Sequence, residues 1–222
     1  VTTTAPPTPA PGPAPDPVAG RGWWRRNRWA LVALPLALVL VLAASADRVR
    51  TLWWEQGLHR PTVGAPGETV TFSQRVRDGL GGTSPVEVRV RLDGIGEPAE
   101  LPRDLVVPDG ARAVQVDLTL WADPDVILAG CSLAVRDAAG TRYDYVPNAW
   151  GAFQAVSPCV PEDAPGPMPS LGVLDDPDAD PGPTRPGTWT VSPVVVLPAD
   201  VEPTEVALWW QLPQHVLLGA GG

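Results

Sequence analysis

Residues 29–46 read W-A-L-V-A-L-P-L-A-L-V-L-V-L-A-A-S-A, a run of 18 amino acids without a charge. An apolar stretch of about 18–20 residues is long enough to cross the hydrocarbon of a bilayer as a helix and far too long for an ordinary strand. The sequence therefore predicts a single transmembrane helix over 29–46, with helical continuation to about residue 58. Trp23, Trp24 and Trp29 stand at one end and Trp53 and Trp54 at the other, the amphipathic rings expected at the two membrane–water interfaces. On a continuous helix Trp29 and Trp53 would lie roughly 36 Å apart at about 1.5 Å per residue, which matches hydrocarbon plus part of the headgroups. Pro35 falls inside the run, where a membrane helix tolerates it.

The flanks give this segment a direction. Arg21, Arg25, Arg26 and Arg28 precede it against one acid, Asp16, while only Arg48 and Arg50 follow closely. By the positive-inside rule the N-terminus faces the cytoplasm and the rest is extracytoplasmic, so the expected location is the cell membrane, single-pass. A cleaved signal peptide competes with this anchor, because Ala44-Ser45-Ala46 has the small-residue pattern of a cleavage site. The mass of the mature protein separates the two. Residues 1–28 form a Pro-rich tail with a basic end and are expected to be disordered, since such a composition buries no core.

The formal charge of −9 conceals a division at the apolar run: +3 before it, and −12 after it from 12 Arg and 24 Asp or Glu. A domain that acidic repels phosphate backbones, which excludes nucleic acid as a partner. All 16 basic residues are Arg, a pattern of high-GC codon usage more than of any fold.

From about residue 62 to 222 the pattern changes to short alternating segments broken by Pro, Gly and Asp, and the 29 Pro and 22 Gly of the chain argue for turns and loops. Val86, Val88, Val90 and Leu92 alternate with Glu87, Arg89, Arg91 and Asp93, and Val114, Val116, Leu118 and Leu120 with Gln115, Asp117 and Thr119. Such segments are half-buried antiparallel strands. Further strands are predicted at about 68–77, 131–137, 141–146, 188–197 and 204–212. Seven to eight strands without a convincing helix predict an all-β exported domain, an immunoglobulin-like β-sandwich, with a Pro/Asp-rich insert at about 150–187. Cys131 and Cys159 are an even pair in an exported chain and predict a structural disulfide, worth about 3–4 kcal/mol in the chain-entropy model.

The run Ala111-Arg-Ala-Val-Gln-Val-Asp-Leu-Thr-Leu-Trp121, followed by Cys131-Ser-Leu-Ala-Val-Arg-Asp-Ala-Ala-Gly-Thr-Arg-Tyr143, resembles the telokin-like immunoglobulin-type domains of membrane-anchored exported proteins from high-GC Gram-positive bacteria. Those domains carry a V-x-V-x-L strand, then a hairpin with Asp, Gly and Tyr so spaced, then a closing strand. Thr190–Pro198 followed by Glu205–Trp210 suits the closing role. The resemblance covers about half of the exported part, the 150–187 insert departs from it, and it implies no catalytic residues.

Chemistry is sparse. His59 and His215 are the only histidines, and neither sits in a hydrolase or metalloprotease motif. No enzyme and no cofactor are expected. Asp176, Asp178 and Asp180 have the alternate spacing that lets carboxylates converge on Ca²⁺, but Pro181 replaces the Gly an EF-hand turn requires, so a solvated acidic loop is the plainer reading. Trp209 and Trp210 are adjacent in a predicted strand and must face opposite ways. With Val206, Leu208, Trp210 and Leu212 in the core, Trp209 points outward, covered by the insert or by residues 216–218, or forming a partner surface. The leading expectation is a non-catalytic interaction or sensing module of unknown ligand, with the membrane and another membrane or envelope protein as partners. The alternatives are an accessory subunit of a membrane complex and a calcium-stabilised envelope domain.

Overall fold

The computed structural model describes residues 19–77, 81–102, 105–146, 157–168 and 183–221. The chain divides into two compact units, Val1–Leu52 and Trp53–Gly222.

Among its described residues the first unit holds one α-helix, α1 (Ala19–Val49), and a π-helical turn at Arg50–Trp54 follows it across the boundary at Leu52. Helix begins at Ala19, well before the apolar run, so the basic end expected to be disordered is helical from that point. The cause is local: Pro17 is the last proline before Pro35, and the Ala, Arg and Leu that follow are good helix formers. The helix runs through Pro35, and Ser45 returns its hydroxyl to the Val41 carbonyl at 2.7 Å, satisfying its polar group within the helix. Over Arg25–Trp54 the helix is long and apolar enough to cross a membrane by length and composition, and no part of its apolar window is buried. Helical continuation stops at Trp54, short of residue 58.

The second unit is a two-layer β-sandwich. Its strands are β1 (Arg60–Gly64), β2 (Thr69–Arg77), β3 (Thr83–Gly96), β4 (Ala111–Trp121), β5 (Ser132–Asp137), β6 (Arg142–Asp144), β7 (Thr188–Val191), β8 (Val194–Pro198), β9 (Pro203–Trp209) and β10 (Gln214–Gly219). One sheet has the order β1-β10-β9-β5-β6, and the other β2-β3-β4-β7 with β8 also pairing β4. We call these the first and second sheets. All pairings are antiparallel except β1 with β10.

Ten strands among the described residues exceed the seven to eight expected, for identifiable reasons. The segment expected over 188–197 is two strands, because Ser192-Pro193 interrupts it. Proline has no N–H to give to a ladder, and its carbonyl instead accepts the Val116 N–H at 2.9 Å. β7 thus pairs the C-terminal half of β4 and β8 its N-terminal half. β1 contains Pro61 and no alternation, and it is tolerated as an edge strand beside β10. β10 is an apolar run without alternation because Val216, Leu217 and Leu218 are buried on both faces. The two segments expected to act together in closing one sheet go to different sheets, β8 to the second and β9 to the first.

Alternation elsewhere translates directly into layers. Val70, Phe72, Val86, Val88, Val90, Leu92, Val114, Val116, Leu118 and Leu120 from the second sheet meet Leu133, Val135, Val206, Leu208, Val216 and Leu218 from the first in one core. Phe72 stacks on Trp210 across the layers, ring centroids 5.7 Å apart. The β5–β6 hairpin turns at Gly140, whose φ of 81° suits glycine. Asp137 closes that turn by accepting the Thr141 N–H at 2.8 Å.

Candidate functional site

The loops at one end of the sandwich are held by buried polar groups, and these determine which surface is preformed. Cys131 and Cys159 are joined in a disulfide, with Cα atoms 6.0 Å apart. Cys131 stands just before β5, and Cys159 lies in the segment 157–168 that the bond ties to the sheet end. Trp189 Nε1 donates to the Cys159 carbonyl and Trp210 Nε1 to the Leu128 carbonyl, each at 3.0 Å. Both buried indoles therefore anchor loops as well as filling core.

Arg185 is the centre of this end. It is fully buried (0% exposed), lies 4.8 Å over the Trp189 ring, and donates through Nη2 to the Asp123 and Val126 carbonyls at 2.8 Å each and through Nη1 to Pro165 at 3.3 Å. Burial pushes its pKa down and the nearby Asp123 charge opposes that. A planar guanidinium spreads its five donors over a rigid fork, so Arg185 reaches loop carbonyls that lie in different directions around one buried plane. Sequence reading did not single out Arg185. A lone Arg in a Pro/Gly-rich stretch carries no local sign of burial.

The clamp fixes the wall of a cleft of about 340 Å³ on the outer face of the second sheet, lined by Thr71, Glu87, Val88, Arg89, Trp121, Ala122, Asp123, Val126 and Gly187. Asp123 and Val126, which line it, are the residues whose carbonyls Arg185 holds. The floor comes from strand register: Thr71 pairs with Arg89 and Arg89 with Trp121 across β2, β3 and β4. Arg89 and Arg91 place their guanidinium carbons 5.5 and 5.6 Å from the Trp121 ring centroid. Arg91 also pairs with Asp93 at 2.6 Å, and Asp93 accepts a hydrogen bond from Thr119. Among the described residues no carboxylate pairs with Arg89. Trp121, Arg89 and Arg91 were legible as outward residues, since each is out of phase with the valines and leucines of its strand; their meeting was not.

Trp209 points outward as its phase requires and is half-buried, with the Arg142 guanidinium 5.5 Å from its ring. Among the described residues Arg142 on β6 is the observed cover, and most of the insert lies outside them. Ala207, in the same strand phase as Trp209, is fully buried in register with Ala134 and Leu217. His215 is 1% exposed, with Nδ1 3.3 Å from the Pro213 carbonyl. Burial lowers its pKa below 6.5; Arg136 and His59 act in the same direction, and the Pro213 hydrogen bond and Glu205 oppose them.

Trp23, Trp29, Trp53 and Trp54 are exposed. His59 stacks on Trp54 with centroids 4.5 Å apart and lies 5.0 Å from Trp53. The side chain of Trp24, the trio Asp176, Asp178 and Asp180, and most of the insert lie outside the described residues. Among the described residues no group of three or more His, Cys, Asp and Glu is arranged to hold a metal.

No family model matches the chain, and no curated protein matches it. Among solved structures it is similar to MPT63, a secreted protein from Mycobacterium tuberculosis, at 17% identity and a TM-score of 0.39, over 72% of this chain and 97% of that one. An uncharacterized β-sandwich protein from Clostridium difficile 630 is similar at 7% identity and a TM-score of 0.32, over 73% and 97%. Likeness at these values carries no argument. The sandwich stands on its own strand register and core.

Chemically, the cleft combines a cation, two carboxylates, a hydroxyl and an indole edge on a fixed backbone. Such a set can hydrogen-bond and stack against a ligand.

Proposed function

We propose that this chain is a membrane-tethered, extracytoplasmic, non-catalytic binding module that presents the outer face of its second sheet to a ligand. The observation that carries the reading is the Trp121 cleft, whose wall is fixed from behind by Arg185 before any ligand arrives. Preformed polar sites bind with little ordering cost. Tethering is supported by a helix that is apolar and unburied all round, because a helix of that kind needs lipid or other helices to cover it. Orientation is supported by the arginines before the apolar run, and export by the disulfide.

The same reading takes the sandwich as a telokin-like immunoglobulin-type domain. Its V-x-V-x-L strand is β4, and its Asp137, Gly140 and Tyr143 hairpin joins β5 to β6.

The test is photo-crosslinking in intact producing cells, with a photoreactive residue at Thr71 in the cleft or at the exposed Glu202 outside it. Adducts from position 71 and none from 202 are expected. Equal adducts from both, or none from either, would overturn the reading.

A further inference from the structure

The acidic character of the second unit is not spread evenly over its surface. The outer face of the second sheet carries Arg75 and Arg77 on β2 and Arg89 and Arg91 on β3, all in the same strand phase, opposite to the buried Val70, Phe72, Val88 and Val90. Register sets Arg91 opposite Thr69, Arg89 opposite Thr71, Arg75 opposite Pro85 and Arg77 opposite Thr83. The four guanidinium groups therefore mark a stripe along β2 and β3 from residue 69 to residue 77, about 27 Å at roughly 3.4 Å per residue. Glu87 lies mid-stripe, opposite Ser73, and Arg91 is neutralised by Asp93. Arg75 and Arg77 are exposed, and among the described residues no carboxylate pairs with Arg75 or Arg89. Glu87 and Asp93 on β3, Asp117 on β4 and Asp123 in the cleft offset Arg89 and Arg91, so the positive excess of this face sits at Arg75 and Arg77, with acids on the remote side screened over about 8 Å of physiological electrolyte.

The stripe does not carry charge alone. At its Arg89 end it enters the Trp121 cleft, where Thr71, Glu87 and Asp123 offer hydroxyl and carboxylate partners beside the indole. Carboxylates accept hydrogen bonds from hydroxyl groups, guanidinium groups hold carboxylate or phosphate oxygens, and an indole packs against ring C–H surfaces. A nucleic acid would use the arginines but would set its closely spaced phosphates against Glu87 and Asp123. A polymer of hydroxylated rings with acidic groups at intervals satisfies both sets.

Building on the binding reading above, we infer that the second sheet's outer face is a docking surface for an anionic polysaccharide, laid along β2 and β3 with one sugar unit in the Trp121 cleft. Arg75 and Arg77 hold acidic groups of the chain by charge. Arg89 and Trp121 orient the ring whose hydroxyls reach Glu87, Asp123 and Thr71.

The test uses the full chain in nanodiscs of phosphatidylcholine, titrated with polygalacturonate, dextran phosphate and plain dextran, and in a separate arm with vesicles containing phosphatidylglycerol. Binding of polygalacturonate or dextran phosphate is expected, falling steeply with salt, with plain dextran and the vesicles much weaker. The double variant Arg75→Gln/Arg77→Gln should weaken the polyanion about tenfold or more and flatten the salt dependence, with unchanged circular dichroism and melting temperature. Arg89→Gln should weaken it while leaving more of the salt slope. Failure of both charged polysaccharides, equal binding of plain dextran, vesicle binding with the same arginine dependence, or an unaffected double variant would each overturn the inference. If position 71 still crosslinks to a protein in cells while both polyanions fail, the binding reading stands and the polysaccharide falls. Absence of both signals removes the two together.

Discussion

Each outer face of the sandwich carries a tryptophan beside arginine, yet the two faces are finished differently. On the first sheet, Ala134, Ala207 and Leu217 form one register row and are buried, and His215 on the same face is buried with them. The adjacent row is capped by Arg136 paired with Glu205 at 3.2 Å, and Trp209 is covered by Arg142. On the second sheet the corresponding positions are Thr69, Thr71, Ser73, Arg75 and Arg77 on β2, all exposed, and Trp121 borders an open cleft. The first face spends its polar groups on its own surface. On the second, among the described residues, Arg75 and Arg89 have no carboxylate partner, and the loop framework beside them is held from inside by Arg185. That difference is what favours the second face for the proposed ligand.

The largest expected effect lies behind that cleft. Arg185→Met should lower stability by about 3–5 kcal/mol, because the carbonyls of Asp123, Val126 and Pro165 lose their buried donor. Thermal or urea denaturation reads it, and a loss under about 1 kcal/mol would mean the cleft wall stands without the clamp. Next, Cys131→Ser with Cys159→Ser should cost about 2–4 kcal/mol, since the bond closes a loop of 28 residues. Retained melting temperature after the double change would detach the segment 157–168 from the stability of this end.

The first face should respond less. Arg142→Gln removes a partly exposed cation over Trp209 and should cost about 0.5–1 kcal/mol, with a change in indole fluorescence. A loss exceeding that of Arg185→Met would invert the contrast between the faces. The smallest effect is confined to a pH window. Because the folded His215 pKa lies below 6.5, the unfolded chain takes up the proton first as pH falls. Stability should therefore decline from about pH 6.5 downward until the folded pKa is reached. His215→Gln should flatten that slope while leaving neutral-pH stability nearly unchanged, and a slope of the same steepness in the variant would assign it to other groups. Asp137 works in the acid range. Partial burial opposes its ionisation, but hydrogen bonds from Thr141, Tyr143 and Ala139 outweigh it and hold the carboxyl below its ordinary value. Its contribution is present above the ordinary Asp range and lost as pH falls through the folded pKa.

The residues that were easy to read are those whose two faces differ. β2, β3 and β4 each bury one phase and expose the other, so Val88 and Arg89, or Leu120 and Trp121, announce opposite directions from spacing alone. β10 hides because both phases of Val216, Leu217 and Leu218 are buried, and β7 and β8 read as one segment because Pro193 lies within a β-rich run and its missing donor matters only in the ladder. The candidate site was half legible. Outward Trp121, Arg89 and Arg91 could be listed by phase, but Arg185 gave no sign, and nothing local says that Arg89 stands beside Trp121.

Composition and spacing were enough to mark the apolar run, the alternating phases of β2, β3 and β4 and the acidic charge, since each is a property of neighbours along the chain, and an even count of two cysteines was enough to expect their bond. Which tryptophan is covered, which arginine is buried and where the cleft opens depend on pairings between residues far apart in sequence, such as Arg89 with Trp121 and Arg185 with Val126. Those pairings are selected by the free energy of the whole packed core, and a short window of sequence carries no record of them.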